Sequence, residues 1–341
     1  MKNKKIGLFL FFLFAASMTL QAENPSESIN KSSTTGIDDY GFYSKMLYGA
    51  KLQFGVVTEN FYKQLSQENL YRISWLTWDT LPVFSLNFEI ASGYKFNAFQ
   101  SLNFEAFFST SIPGKTGFMQ DYDALFFDNK ITDYSFHENY TDSYISTGFY
   151  ADFALLYGFG LGLGFEYEKV SFRGQNGYAQ HNSDTGSPMG YWTADMPHTS
   201  EFDGITVITY DIFSFYWKSG IVWRFDITNQ IYTGFDAWLY FYRYDNAMDK
   251  HYYTSKPNIP RLYYKDIIEE WINGYEIRAF AEYVVTPHFS IFTRLSGTYL
   301  PEAFGNDYIS QKPSDFKLND NYKGGFEAWS ASGCLSFVFR L

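Results

Sequence analysis

The chain has 341 residues, a formal net charge of −11 and a single cysteine, Cys334. Such acidity makes nucleic acid a poor partner, and one cysteine excludes an internal disulfide framework and any cysteine-rich metal site. Aromatic residues make up 22% of the chain, with 30 Tyr and 37 Phe, a load that suits a transmembrane β-barrel with ring girdles at both bilayer interfaces better than a soluble globule.

Lys2, Lys4 and Lys5 precede an apolar run from Ile6 to Ala16, and a cleavage point follows Ala22, so residues 1–22 read as a secretory signal peptide. Losing those three lysines takes the charge from −11 to −14. No later stretch offers about 20 uninterrupted apolar residues, which argues against a helical span. Residues 23 to about 40, rich in Ser, Asn and Thr, read as a polar leader. With no repeat or linker beyond it, 23–341 reads as a single barrel domain.

Alternation then dominates. From Leu161 to Val170, Leu161, Leu163, Phe165 and Tyr167 share one face, and Glu166 and Glu168 the other. The glycines at 158, 160, 162 and 164 continue the polar parity, as a tightly packed lumen wall would require; their spacing is not that of a phosphate-binding GxGxxG turn. Between Tyr275 and Val285, the set Tyr275, Ile277, Ala279, Ala281 and Tyr283 alternates with Glu276, Arg278, Phe280 and Glu282. Charges on that second face are intolerable in lipid and belong in a polar lumen. Leu335, Phe337, Phe339 and Leu341 give the last strand an apolar outer face suited to closing a barrel.

Ten such strands are expected near 43–58, 69–92, 98–111, 143–157, 159–173, 205–225, 229–245, 269–285, 288–301 and 325–341. Short turns around 93–97, 157–158, 226–229 and 286–288 alternate with long loops around 59–68, 112–142, 174–204, 246–268 and 302–324. The expected fold is therefore all-β: a ten-stranded antiparallel transmembrane β-barrel with short periplasmic turns and long extracellular loops.

Chemistry is expected where the long loops converge. Asp121 and Asp123 lie two residues apart in the second loop, so in an extended stretch their carboxylates share a face and can bracket a water. Asp249 and His251 repeat that spacing in the fourth loop, where the carboxylate can orient the imidazole and stabilise its protonated form. Placed on opposite walls, the two pairs point to peptide hydrolysis by an activated water with no covalent intermediate. His137, His181, His198 and His288 show no metal-ligand spacing, no G-x-S-x-G elbow is present, and neither a metal nor another cofactor is expected.

At these residues the chain resembles the omptin family of outer-membrane endoproteases. The resemblance runs over roughly 45–341 and rests on Gly117-Phe118-Met119-Gln120-Asp121-Tyr122-Asp123 and on Asp245-Asn246-Ala247-Met248-Asp249-Lys250-His251-Tyr252. Thr132-Asp133, Ser171-Phe172 followed by an Arg-Gly pair, and Tyr283-Val284-Val285-Thr286-Pro287 add to it. It implies a bacterial outer-membrane endopeptidase with its active site facing outward, acting on peptide or protein substrates. Asp249 would orient His251 as general base, Asp121 and Asp123 would position the water and the scissile carbonyl, and Glu59 would receive a basic substrate side chain. Ala247 departs from the pattern, which has a second acid there. The resemblance also implies contact with outer-membrane lipid and lipopolysaccharide as an activator, with Lys169 and Arg173 as candidate contacts. The alternative is a non-enzymatic barrel on the same scaffold, a surface adhesin or narrow porin.

Overall fold

The computed structural model describes residues 41–66, 69–97, 100–124, 130–181, 190–253 and 256–341; the signal peptide and leader expected at 1–40 lie outside the described residues. Thirteen strands form one antiparallel sheet: β1 (Gly41–Ser66), β2 (Asn69–Asn97), β3 (Gln100–Ser111), β4 (Gly114–Asp123), β5 (Asp133–Leu156), β6 (Phe159–His181), β7 (Ser200–Glu201), β8 (Thr206–Thr228), β9 (Ile231–Tyr253), β10 (Lys256–Trp271), β11 (Tyr275–Thr286), β12 (Phe289–Ser310) and β13 (Lys317–Arg340).

The ladder makes ten staves of them. β3 and β4 both pair with β2 on one side and β5 on the other, so they are the lower and upper halves of one stave. Pro113, which has no N–H for the ladder, sits at the break. β10 and β11 share β9 and β12 in the same way, divided where Ile272 and Gly274 take positive φ values of 57° and 142°. β7 adds only a short extension beside β6. β1 pairs with β13 from Lys45↔Arg340 to Lys63↔Tyr322, which closes the ring and removes every long sheet edge. The expected ten-stranded transmembrane barrel is thus the observed fold.

Sidedness follows the alternation. Leu161, Leu163, Leu295 and Leu335 face outward and are more than half exposed, as lipid contact requires, while Glu276, Arg278 and Glu282 are buried inside. The lumen is filled rather than open. Lys218 bridges Glu166 and Glu276, the latter at 2.9 Å, and Arg294 reaches Glu89 and Glu105 at 3.0 Å each. Glycines of β6 make room for the rings beside this network: a Cβ on Gly162 would lie 2.5 Å from the Trp238 ring, and one on Gly164 2.5 Å from the Tyr150 ring.

Two expectations are corrected. The strands run past their expected bounds, β1 over Gly41–Ser66 against 43–58 and β2 over Asn69–Asn97 against 69–92, all of these well beyond the ~9–11 residues of a bilayer crossing. The upper halves stand above the membrane, and much of 59–68, 112–142, 174–204, 246–268 and 302–324 is strand rather than loop. The cause is physical: above the lipid, outward residues need not be apolar. In β5, outward Glu138 and Tyr140 alternate with buried His137, Asn139 and Thr141, so the two-residue rhythm in polarity disappears while the hydrogen-bonded ladder continues. The first turn also lies further along than 93–97, since β2 runs to Asn97.

Candidate active site

Both catalytic candidate pairs sit on these upper strands, not in loops. Asp121 and Asp123 end β4; the ladder sets Asp121 opposite Leu76 and Asp123 opposite Ser74 of β2, so both project inward. The Ser74 hydroxyl lies 3.5 Å from Asp121 Oδ1 and also hydrogen-bonds Asp123. Asp249 and His251 lie on the inner face of β9, with His251 Nε2 2.6 Å from Asp249 Oδ2. That bond leaves Nδ1 as the ring nitrogen open to a water. The His251 ring rests edge-on against Tyr264 of β10, 5.4 Å between centroids.

The floor beneath is apolar. Leu76, Trp78, Met119, Phe172, Ile208, Tyr210 and Ala247 form one buried cluster, with Trp78 stacked on Phe172 and Tyr210 at 5.7 and 5.9 Å. Such surroundings disfavour charge. Burial, and then the Asp123 charge, lifts the Asp121 carboxyl well above the usual carboxylate range. Asp123 is also raised by burial, with the Ser74 hydrogen bond opposing. For His251, enclosure lowers the pKa, but Asp249, Asp121 and Asp123 outweigh it and push the imidazole up to about 9. The Asp pair and the Asp-His pair, brought by β4 and β9, therefore act electrostatically on one another across the mouth.

Glu59 of β1 is buried in the same enclosure, its pKa raised by burial and then by Asp249, Asp266, Asp121 and Asp307. Asp245 contributes nothing to this pocket: two residues below Ala247 on the same face, it is locked to Arg243 Nε at 2.5 Å and Ser214 Oγ at 2.6 Å. Sequence reasoning missed Ser74, Asp266 and Asp307. Asp266 of β10 stands directly across the ladder from Ala247, and Asp307 of β12 directly across from Asp266.

The other histidines play different parts. His137 is fully buried, bonded through Nδ1 to the Asn176 carbonyl at 2.6 Å and through Nε2 to Ser135 Oγ at 2.9 Å, and burial pushes its pKa down to about 4. His198 stacks on Tyr178. His181 lies 3.5 Å from Asp133, and its charge reaches both Asp121 and Asp123. Among the described residues, no group of His, Cys, Asp and Glu has the arrangement to hold a metal.

Residues 52–337 match the sequence profile of the Omptin family. Among solved structures, the chain is similar to the outer membrane protease OmpT of Escherichia coli, with a TM-score of 0.68 at 15% identity over 91% of this chain and 99% of that one. OprG of Pseudomonas aeruginosa (8% identity, 86% and 96% covered, TM-score 0.31) and the β domain of the Bordetella autotransporter BrkA (9%, 86% and 98%, 0.29) score too low to add to the assignment. No curated protein sequence matches. With most of its length matched by the profile, the chain belongs to the omptin family.

Proposed function

We propose that the chain is an outer-membrane endopeptidase that cleaves extended peptides at the extracellular mouth of its barrel, the activity named for OmpT. The observation that carries this reading is the 2.6 Å Asp249–His251 bond on β9, with the Asp121–Asp123 pair on the facing wall. In its neutral form, His251 Nδ1 takes a proton from a water as the water oxygen attacks the scissile carbonyl carbon. Asp249 holds the ring and stabilises the imidazolium. The imidazolium then returns the proton to the leaving amine nitrogen as the C–N bond breaks. Asp121, raised by burial and by the neighbouring Asp123 charge, retains a proton that can hydrogen-bond the developing oxyanion.

Lipopolysaccharide supports this chemistry from outside the barrel. The Arg173 guanidinium sits at 3.0 Å from Asp142 and over the Tyr140 ring, and Lys169 lies over Phe213, so both cations are positioned on the outer wall for phosphate groups of the outer leaflet. A porin is the weaker reading because the lumen is crossed by the Glu166–Lys218–Glu276–Arg278 network.

The test is digestion of a diverse unstructured peptide library by the full chain, refolded in detergent with lipopolysaccharide and read by mass spectrometry. Wild type is expected to cleave, and His251→Ala and Asp121→Ala to be inactive while keeping heat-modifiable migration. A library left intact by wild type would return the barrel to the adhesin reading.

A further inference from the structure

Buried acids in this barrel hold a cation almost everywhere. Glu89 and Glu105 pair with Arg294, Glu166 and Glu276 with Lys218, and Glu282 with Lys45 and Arg340. Glu59, Asp266 and Asp307 break that rule: each is at least nine-tenths buried, and none forms an ion pair within the described residues. Each also keeps one carboxylate oxygen with no hydrogen-bond partner: Glu59 Oε2, Asp266 Oδ1 and Asp307 Oδ1.

The three come from different staves, so their convergence belongs to the fold and not to a local motif. Opposed residues of an antiparallel pair share a face, so Asp266 lies on the inner face beside the small Ala247, with Asp307 across from it on β12. The second oxygen of Asp307 accepts a hydrogen bond from Asn319 Nδ2 at 2.7 Å. On β13, Gly324 clears the ground for Asp266: a Cβ there would come within 1.9 Å of the Asp266 Cγ. Glu59 closes the pocket from β1, near enough to feel the charges of Asp266 and Asp307. Asp266 and Asp307 hydrogen-bond each other, which needs a proton held between them, but no cationic side chain of the described residues pairs with any of the three, and buried carboxylates without a cation are strongly unfavourable once ionised.

We propose that Asp266 and Asp307, facing Glu59, form the cation-binding end of the substrate pocket in place of the acid missing at Ala247, and that they select arginine over lysine. This rests on the proteolytic reading and moves the selecting charge to strands where the sequence resemblance does not put it. A guanidinium presents donors along a rigid planar fork that can reach carboxylates on two walls at once, whereas an ammonium is a compact point charge that satisfies them less completely.

The experiment compares peptides identical except for Arg, Lys or Gln on the N-terminal side of the scissile bond, using the full chain with lipopolysaccharide. Wild type should rank them Arg, then Lys, then Gln by kcat/KM. Asp266→Asn and Asp307→Asn, which preserve shape, should each cut the Arg-to-Gln ratio about 10- to 100-fold. Ala247→Asp in the Asp266→Asn background should restore much of it. A ratio unchanged in both Asn variants, with the barrel intact, overturns the proposal. If wild type cleaves none of the peptides, the proteolytic reading fails, and binding decides the pocket separately. Arginine amide raising the unfolding temperature of wild type but not of Asp266→Asn would support it; arginine amide acting on neither or on both equally would overturn it.

Discussion

Asp249 and His251 extend from one face of β9, two residues apart, and are joined by a 2.6 Å hydrogen bond through Nε2. The bond fixes which nitrogen meets the substrate water. Asp249→Asn would keep the shape but weaken that orientation and remove the charge that steadies the imidazolium. It should lower kcat by about 10²–10⁴-fold, by analogy with other carboxylate-held histidine bases, with a much smaller change in KM. Steady-state kinetics on one good peptide checks this, and equal losses in kcat and in substrate affinity would point to a collapsed site instead.

The raised pKa of His251 gives the pH dependence a definite sign. A base with a pKa of about 9 is mostly protonated at neutral pH, so kcat/KM should climb about tenfold per pH unit from 7 and level off near 9. In Asp249→Asn, the residual activity should reach its plateau at lower pH, since the principal stabiliser of the imidazolium is gone. A flat profile from pH 7 to 9 in wild type contradicts the assignment of His251 as base.

The unpaired acids set stability against function. A carboxyl whose folded pKa is raised loses stability as pH climbs above its unfolded value, because the ionised form is penalised only when folded. Asp307, lifted to about 6 by burial, and Asp266, raised well above the ordinary range by burial and by Asp307, both carry that penalty at neutral pH. Asp266→Asn is therefore expected to stabilise the empty barrel at pH 7.5 by on the order of 1 kcal/mol, with the gain vanishing toward pH 4. Urea unfolding at the two pH values measures the difference.

Lys218 makes the opposite case. It is buried between Glu166 and Glu276, so Lys218→Ala leaves Glu166 without a cation and Glu276 with Arg278 alone, and should cost about 3–5 kcal/mol. The unfolding midpoint should fall sharply, while peptide cleavage by the protein that remains folded should be little changed.

Lipid dependence can be tested on the outer wall. Arg173→Ala should raise the lipopolysaccharide concentration for half-maximal activity several-fold without altering the maximum, since Arg173 lies on the exterior and away from the pocket. An activation curve superimposable on that of wild type would remove Arg173 from lipid contact.

The barrel was legible wherever one face meets lipid and the other does not. Leu161, Leu163 and Phe165 against Glu166 and Glu168 is a pattern only a wall strand needs, and the two Asp-containing pairs were legible because a spacing of two is local in an extended chain. The upper strands were not, because the inner face there is buried yet polar: outward Glu138 alternates with buried His137 and Asn139, which leaves no apolar rhythm. Asp266 and Asp307 were invisible for a different reason: they meet Glu59 only through ladder register across staves far apart in sequence, and nothing near either residue marks it as part of a site.

The central claim is spatial, and an experimental structure of the full chain with a non-cleavable peptide analogue, its scissile amide reduced, tests it most directly. The expected result is an extended peptide lying between β4 and β9, with an ordered water about 3 Å from His251 Nδ1 and in reach of Asp121 or Asp123. A peptide bound elsewhere, or the His251 ring and the Asp121–Asp123 pair turned away from a common water, would contradict the hydrolytic assignment.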